Sequence, residues 1–154
     1  MITFAALMPH PPIIVPEVGG ERAHEASLTS QGIQAVAREL VQTQPETVVF
    51  LTPHGNVFSD CITCLIEPRL EGNLAAFGHP EVAFSHANDL ELIQAIGSLA
   101  EKHDISMIGI DKNTSSRYNL NPFLDHGILV PLYFLKQAGF GDKPIAAISI
   151  GMLD

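Results

Sequence analysis

The sequence is poor in charged residues and in cysteine. Charged residues make up 16% of its 154 residues, against 46% apolar residues. This balance argues against a disordered chain and supplies enough apolar material for a sizeable core. The two cysteines, Cys61 and Cys64, are too few for a disulfide framework, and a reducing, cytoplasmic location is therefore expected. On a strand, positions three apart point to opposite faces, so we interpret the two cysteines as structural.

Basic residues are also scarce, with 8 Lys and Arg against 17 Asp and Glu and a net charge of −9. Because nucleic-acid binders show a basic patch, we expect no nucleic-acid partner. No apolar stretch approaches the roughly 20 residues of a membrane span. The N-terminus lacks the positive region and cleavage site of a signal peptide. We therefore expect no membrane association.

Residues 1–154 fit a single domain. Short apolar runs predict strands over residues 2–8, 47–51, 61–66, 106–110 and 144–150. Amphipathic spacing predicts helices that begin near Ser27 or Thr29, between Ser85 and Asn88, and at Ile128. This alternation favours a layered α/β fold with a mostly parallel or mixed central sheet flanked by helices.

Three segments between these elements are predicted to be irregular. The prolines at positions 9, 11, 12 and 16 predict a stiff, extended backbone. Residues 68–80 and 112–124 read as loops, and a loop as long as the second is often functional. The last strand almost reaches the end of the sequence without the covering helix that a buried α/β strand usually has. We therefore expect the N-terminal half of a larger domain. Its uncovered sheet edge should pair with a second copy in a homo-oligomer.

Two histidines follow predicted strands in similar contexts. His10 lies in Met8-Pro9-His10-Pro11-Pro12, and His54 lies in Thr52-Pro53-His54-Gly55. Imidazole is the commonest protein metal ligand, and the strand-to-loop junction is where α/β sheets usually place their chemistry. The alternative is two ordinary loop histidines. The shared motif favours a pair of metal ligands.

A third histidine, His126, follows Asp125 at the start of a predicted helix. The helix dipole lowers the proton affinity of an imidazole at that position, so His126 could act as a general acid or base. The alternative is a capping Asp followed by a surface histidine. Two histidines and one carboxylate form the facial triad of non-haem Fe(II) oxygenases. Glu17, Asp60 and Asp125 are the candidate carboxylates, and none has a clear strand-end position.

The remaining histidines carry weaker signals. His79 and Glu81, in the segment 77–82, could line a pocket, although loop residues are more often merely exposed. His24, His86 and His103 read as surface residues in or near helices. No phosphate loop, nucleotide fingerprint or Gly-x-Ser-x-Gly motif occurs.

The histidine motifs together resemble the class III extradiol dioxygenase superfamily, of the type of the catalytic subunit of protocatechuate 4,5-dioxygenase. The resemblance is carried, in the family's order, by Met8-Pro9-His10-Pro11-Pro12, Thr52-Pro53-His54-Gly55 and Asp125-His126-Gly127 with Val130-Pro131-Leu132. The segments 10–19, 77–82 and 88–92 are most similar to the N-terminal domain of AmmeMemoRadiSam system protein A and to Memo-like proteins. The resemblance covers essentially the whole chain.

The resemblance implies a role for each matching residue. His10 and His54 would ligate Fe(II), or another divalent metal such as Zn, and His126 would be the acid/base that handles the substrate hydroxyl proton. The family's third ligand is a glutamate late in the domain, and no residue of this sequence matches it. Asp125, His79 and Glu17 are the predicted substrate-binding residues.

The expected function is an extradiol-type ring cleavage of a catechol-like small molecule with O2, in the N-terminal half of a dioxygenase-type domain. The alternative is a Memo-like binding module that uses the same pocket to recognise a protein or peptide partner. A third possibility is a folded α/β fragment without a function of its own.

Overall fold

A mixed four-stranded sheet forms the centre of the computed structural model, which describes residues 1–151. The strands are β1 (Val48–Thr52), β2 (Ile62–Leu65), β3 (Arg69–Leu74), β4 (His79–Ala87), β5 (Met107–Ile110) and β6 (Ile145–Ser149). The central sheet has the order β1-β6-β2-β5. β1 is parallel to β6 and β2 to β5, whereas β2 and β6 are antiparallel. The predicted mixed sheet flanked by helices is thereby confirmed.

Helices cover the two faces of this sheet. The α-helices of the described chain are α1 (Pro16–Gly19), α2 (Ser27–Gln42), α3 (Leu90–Lys102), α4 (Lys112–Tyr118) and α5 (His126–Gln137), of which α2, α3 and α5 lie on the sheet. One face packs with α2, α5 and the β3–β4 hairpin around the larger core, and the other face packs against α3. Within residues 1–151, no helix combines the length and the apolar character needed to cross a membrane.

Helix α5 is the central element of the larger core. Its buried residues occur on all sides, and a helix that is apolar all round is typically buried. They are Ile128, Leu129, Val130, Pro131, Leu132, Phe134 and Leu135. The helix begins at His126, two residues earlier than predicted, because the Asp125 side chain caps it by accepting a hydrogen bond from the Gly127 N–H.

The predicted strand over residues 2–8 is wrong. Residues 1–11 form no helix or strand, and Ile2 and Leu7 are 87% and 98% exposed. Phe4 and Met8 instead pack against the larger core. A strand needs a hydrogen-bonded partner, and no strand within the described residues pairs with this segment.

The extended backbone predicted after His10 is also wrong. Pro12–Ile14 forms a 3₁₀ helix, α1 follows, and Gly20–Ala26 forms a second 3₁₀ helix that leads into α2. Prolines stand at the first positions of the first two helices. Proline is favoured there because its missing N–H would have no helical partner and its φ is already helical.

The two predicted loops contain regular structure. Residues 68–80 include β3 and the start of β4, which pair as an antiparallel hairpin. Residues 112–124 begin with α4, which Asp111 caps through its side chain and Asn119 ends in the left-handed conformation. His86, predicted to be a surface residue, lies in β4 with 7% exposure, and its Nδ1 is hydrogen-bonded to the Lys143 carbonyl oxygen.

Candidate metal centre

Three histidines from distant segments meet at one end of the sheet. His10 precedes the first 3₁₀ helix, His54 follows β1, and His126 is the first residue of α5. Each ring is half-buried. One ligating atom of each ring lies within 4.8 Å of those of the other two rings. The structure therefore brings the two predicted metal ligands and the predicted acid/base histidine into one cluster.

The separation of His10 and His54 fits a single metal ion. The Nε2 atoms of His10 and His54 are 3.1 Å apart. Two imidazole nitrogens at about 2.1 Å from one metal, at an angle between 90° and 109°, would be about 3.0–3.4 Å apart. Without a metal, one of these nitrogens must donate its proton to the other. An ion bound by both would replace that shared proton.

The segments that carry His54 and His126 are joined by a buried hydrogen-bond network. Thr52, at the end of β1, is 2% exposed. Its hydroxyl donates to Asp125 Oδ1 at 2.9 Å and accepts from the His54 backbone N–H at 3.1 Å. The Gly127 N–H donates to the same Asp125 oxygen at 2.7 Å. Asp125 therefore both caps α5 and fixes the end of β1.

Gly127 is required by this close approach. A Cβ at position 127 would lie 2.5 Å from Thr52 Oγ1 and 3.1 Å from His54 Cδ2. Any side chain there would push α5 away from the end of β1. In the Asp125-His126-Gly127 motif, Asp125 therefore caps α5 and His126 supplies the imidazole. Gly127 allows α5 to approach the end of β1 closely enough for this imidazole to lie beside His54.

His126 is held in its neutral form. Burial is the main cause that lowers its pKa below the usual range of histidine, and the neighbouring His54 lowers it further. The Asp125 carboxylate opposes this shift and His10 adds to it. The His126 ring centroid lies 4.2 Å from that of His54 and 5.4 Å from that of Phe77. A neutral imidazole can accept a proton or bind a metal.

The three candidate carboxylates are engaged elsewhere. Glu17 is exposed on α1 and lies beside the hydroxyl of Tyr133. Burial, and after it the neighbouring Glu17, raises the pKa of Tyr133 to about 12. Asp60 lies beside the Cys61 thiol. Asp125 binds Thr52 and the start of α5. Among residues 1–151, the cluster of candidate ligands consists of the three imidazoles.

A cleft of about 740 Å³ opens beside His126. The outer face of the β3–β4 hairpin forms one wall, and the segment from Asn121 to Asp125 forms the other. The exposed aromatic residues Phe77 and Phe123 line it, and the buried Phe84 belongs to the hairpin wall. The cleft is therefore large enough for a small aromatic molecule that reaches the histidine cluster.

Of the predicted substrate-binding residues, Asp125 lines this cleft. His79 and Glu17 are not among its lining residues. The His79 Nδ1 lies 2.8 Å from Glu81 Oε1 on the hairpin surface. The pKa of the Glu81 carboxyl is lowered mainly by a hydrogen bond from its own backbone N–H, and further by the hydrogen bond with His79. The roles proposed for His79 and Glu17 in substrate binding stay predictions.

Sequence reasoning missed several residues of this region. Thr52 stood inside the motif that singled out His54, but nothing local marks its hydroxyl as the link to Asp125. Asn56 and Asn121 lie in segments without a predicted strand or helix, and their residue type alone does not mark them as partners. The Asn56 side chain donates to the Asn121 carbonyl oxygen at 2.6 Å and accepts from the Asn121 N–H at 2.8 Å. This reciprocal pair connects the loop after β1 to the cleft wall.

Comparisons with known proteins agree with this geometry. Residues 4–153 match the family described as "Catalytic LigB subunit of aromatic ring-opening dioxygenase". A curated relative, "Protein CA_C1420" of Clostridium acetobutylicum, is 35% identical over 131 residues. That match covers 85% of this chain and 28% of the relative. The chain thus spans less than a third of the length of the curated relative that it matches.

Proposed function

We propose that this chain, which belongs to the LigB family of aromatic ring-opening dioxygenase catalytic subunits, takes part in opening a catechol-like ring with O2 at an Fe(II) centre. The observation that carries the proposal is the convergence of His10, His54 and His126 within 4.8 Å beside a cleft. Family membership supports a dioxygenase-type chemistry. That the metal is iron and that the substrate is a vicinal diol are proposals that go beyond family membership.

His10 and His54 would hold the metal. Their Nε2 atoms are separated by a distance that suits neighbouring positions on one ion. When bound, Fe(II) would supply open positions for a diol and for O2. The prolines on both sides of His10, and the hydrogen bond from the His54 N–H to Thr52, fix the two backbones before any metal arrives. Such preorganisation favours tight binding.

His126 would accept the proton of a substrate hydroxyl. Its lowered pKa keeps the ring neutral near pH 7, so that a ring nitrogen is free to accept the proton. The ring sits at the end of the cleft, with the edge of Phe77 against it. An aromatic substrate lying in the cleft would therefore present its hydroxyl groups to the histidine cluster.

The test is O2 consumption by the Fe(II)-loaded chain with 4-ethylcatechol, measured together with the ring-opened product. His10→Ala and His54→Ala should lose both metal binding and activity. His126→Ala should retain a metal site but lose most of the rate, because general acid–base catalysis typically contributes about 10²–10⁴-fold. His103→Ala is the matched control, since His103 is exposed at the end of α3.

Metal binding and activity can fail separately in this test. Equal activity of the wild type and of His10→Ala would contradict a role for the histidine cluster. Fe(II) bound with no oxygen uptake for any catechol would leave a metal centre but exclude the dioxygenase activity for this chain. The His103→Ala variant should behave as the wild type in every assay.

A metal-dependent binding module is the second candidate, and one observation favours it. The cluster in the described residues consists of three imidazoles, and three histidines form the ligand set of some zinc sites. Such a module would recognise a protein or peptide partner through the cleft. Tight Zn(II) binding, lost in His126→Ala and accompanied by no oxygen uptake with Fe(II), would favour this function over the first.

A further inference from the structure

We propose that Asn56 is a positioning residue for the substrate, because it fixes the wall of the cleft that carries Phe123. This inference deepens the proposed function, on which it rests for the choice of an aromatic ligand. It is carried by hydrogen bonds that run from β2 through Asn56 and Asn121 to Phe123. Phe123 and His126 line the same cleft, so the position of this wall affects how an aromatic ring lies before the histidines.

The side chain of Asn56 is bonded to both backbone groups of Asn121. Its Nδ2 donates to the Asn121 carbonyl oxygen at 2.6 Å, and its Oδ1 accepts from the Asn121 N–H at 2.8 Å. A backbone N–H can only donate, so this pair fixes the orientation of the amide. The two bonds need a donor and an acceptor in one short side chain, which neither aspartate nor alanine provides.

Asn56 is itself anchored to the central sheet. Its carbonyl oxygen accepts a hydrogen bond from the Thr63 hydroxyl at 2.7 Å. Thr63 lies in β2 and is 2% exposed, so the packing of the sheet sets its position. On the other side of the pair, the Asn121 Oδ1 accepts from the Phe123 N–H at 3.1 Å. The position of Phe123 therefore depends on β2 through Asn56.

The wall has no regular structure of its own. Residues 119–125 lie between α4 and α5 and form neither helix nor strand. The end of this segment is held at Asp125 by Thr52 and at Leu124 by the β3–β4 hairpin. Asn56 holds its middle, next to Phe123. Removing the Asn56 amide should therefore loosen the stretch around Phe123 and leave Asp125 in place.

A loosened wall would bind an aromatic ring more weakly. Phe123 remains 49% exposed, so its ring can bury apolar surface against a ligand. A wall that becomes ordered only when the ligand arrives costs affinity, because the lost freedom opposes binding. The metal ligand His54 is fixed separately by Thr52. We therefore expect Asn56 to act on binding of the ring and not on binding of the metal.

The experiment measures two dissociation constants in the wild type, in Asn56→Asp and in Asn56→Ala. The first is that of 4-ethylcatechol, measured by calorimetry without oxygen on the Fe(II)-loaded chain. The second is that of Fe(II), measured by competition with a coloured chelator. Both variants should bind 4-ethylcatechol about fivefold or more weakly, while their affinity for Fe(II) stays within about twofold of the wild type.

Asn121→Asp is the matched control. It makes the same change from amide to carboxylate, but it keeps the oxygen that accepts from the Phe123 N–H and the backbone groups that bind Asn56. This variant should bind 4-ethylcatechol within about twofold of the wild type. Amide exchange at Phe123 should be faster in both Asn56 variants and unchanged in the control.

A double-variant cycle tests whether Asn56 acts through Phe123. Phe123→Ala should itself weaken the binding of 4-ethylcatechol about fivefold or more, since it removes the apolar surface of the wall. Adding Asn56→Ala to Phe123→Ala should weaken binding by less than about a further twofold, because the ring that Asn56 positions is gone.

Three results would overturn the inference. They are unchanged affinity for 4-ethylcatechol in the Asn56 variants, an equal loss of Fe(II) affinity in them, and additive losses in the double variant. Absence of 4-ethylcatechol binding by the wild type would overturn the inference together with the catechol substrate class. The expected pattern of binding without any uptake of O2 would contradict the proposed function and leave the role of Asn56 intact.

Discussion

Thr52 is the residue through which the positions of His54 and His126 depend on each other. Thr52→Val keeps the shape of the side chain but leaves the His54 N–H without its partner and Asp125 with one donor fewer. Leaving a buried donor unpaired costs about 1–3 kcal/mol. We therefore expect lower metal affinity and lower stability, measured by competition with a coloured chelator and by thermal unfolding.

Thr52→Ser is the matched variant for this prediction. It keeps the hydroxyl and removes one methyl group, so metal affinity should stay near that of the wild type, while stability falls by about 1 kcal/mol for the lost methyl. Equal metal affinity in Thr52→Val and Thr52→Ser would show that the hydroxyl does not position the histidines.

His126 gives the metal-free chain a dependence of stability on pH. Its pKa is lowered in the folded state, mainly by burial, so below about pH 6.5 the unfolded chain binds this proton more readily than the folded chain. Stability should therefore fall as the pH drops through this range and be regained above it. His126→Gln should flatten the profile between pH 5 and 8 in urea titrations. A profile of unchanged slope would contradict the assignment.

Much of the candidate site was predictable at the residue scale. The proline-flanked motifs identified His10 and His54, and the Asp-His-Gly motif identified His126; the structure brings all three together. The Thr52 bridge and the aromatic lining were not predictable. Phe77 and Phe123 lie in segments predicted to be loops, and their exposure beside His126 depends on how the hairpin folds over α5.

At the scale of elements, Gly72 sets how closely the β3–β4 hairpin approaches the segment before α5. A Cβ at position 72 would lie 2.8 Å from both the Cβ and the carbonyl oxygen of Leu124, and 3.0 Å from Leu129 Cδ2. Gly72→Ala should therefore separate the two walls of the cleft and destabilise the fold by about 1–3 kcal/mol.

The measurement for Gly72→Ala is urea unfolding together with binding of 4-ethylcatechol. The Leu124 N–H donates to the Glu71 carbonyl oxygen at 2.8 Å, and amide exchange at Leu124 should report its loss directly. Gly97→Ala is the control, since a Cβ at position 97 of α3 meets nothing within 4 Å. Wild-type stability in Gly72→Ala would contradict the close packing.

Element prediction failed where the apolar pattern alone does not decide the structure. Residues 2–8 have the composition of a buried strand, but composition does not supply a hydrogen-bonding partner. The segment 112–124 reads as a loop from its Asn and Ser content, although Asp111 and Asn119 are a cap and a left-handed end that mark a short helix. His86 is predicted to lie near a helix because the sequence pattern does not reveal the strand β4 around it.

At the scale of the whole molecule, the edge strand β1 of the central sheet exposes apolar side chains. β1 lies at the edge of the central sheet. Val49 and Leu51 pair with Ala146 and Ile148 of β6, which α3 buries, yet they are themselves 40% and 64% exposed. An exposed apolar edge strand is a ready site for pairing with another chain. The homo-oligomer stays a prediction, with β1 as its expected contact.

Light scattering at several concentrations tests this prediction. The wild type should be a dimer or larger, and Leu51→Lys should shift it towards the monomer because a charge on an edge strand opposes pairing. Leu28→Lys is the control, since Leu28 is 82% exposed on α2 and away from β1. A wild type that is monomeric throughout would contradict the prediction.

The class of the fold was predictable at this scale, and the order of its strands was not. Alternating apolar runs and amphipathic helices predict an α/β sheet. They do not determine that β6 lies between β1 and β2, parallel to β1 and antiparallel to β2. That order depends on which distant strands pair with each other, and the alternation of apolar residues along a strand does not specify its partner.

The distance along the chain between the clustered histidines makes a bound metal act as a removable cross-link. His10 and His54 are 44 positions apart, and His10 adjoins a segment with no helix or strand of its own. An ion present at a hundred times its dissociation constant would add about 2.7 kcal/mol to the free energy of unfolding. As the free metal concentration rises, the lifetime of the folded chain should thus increase and amide exchange in residues 2–8 should slow.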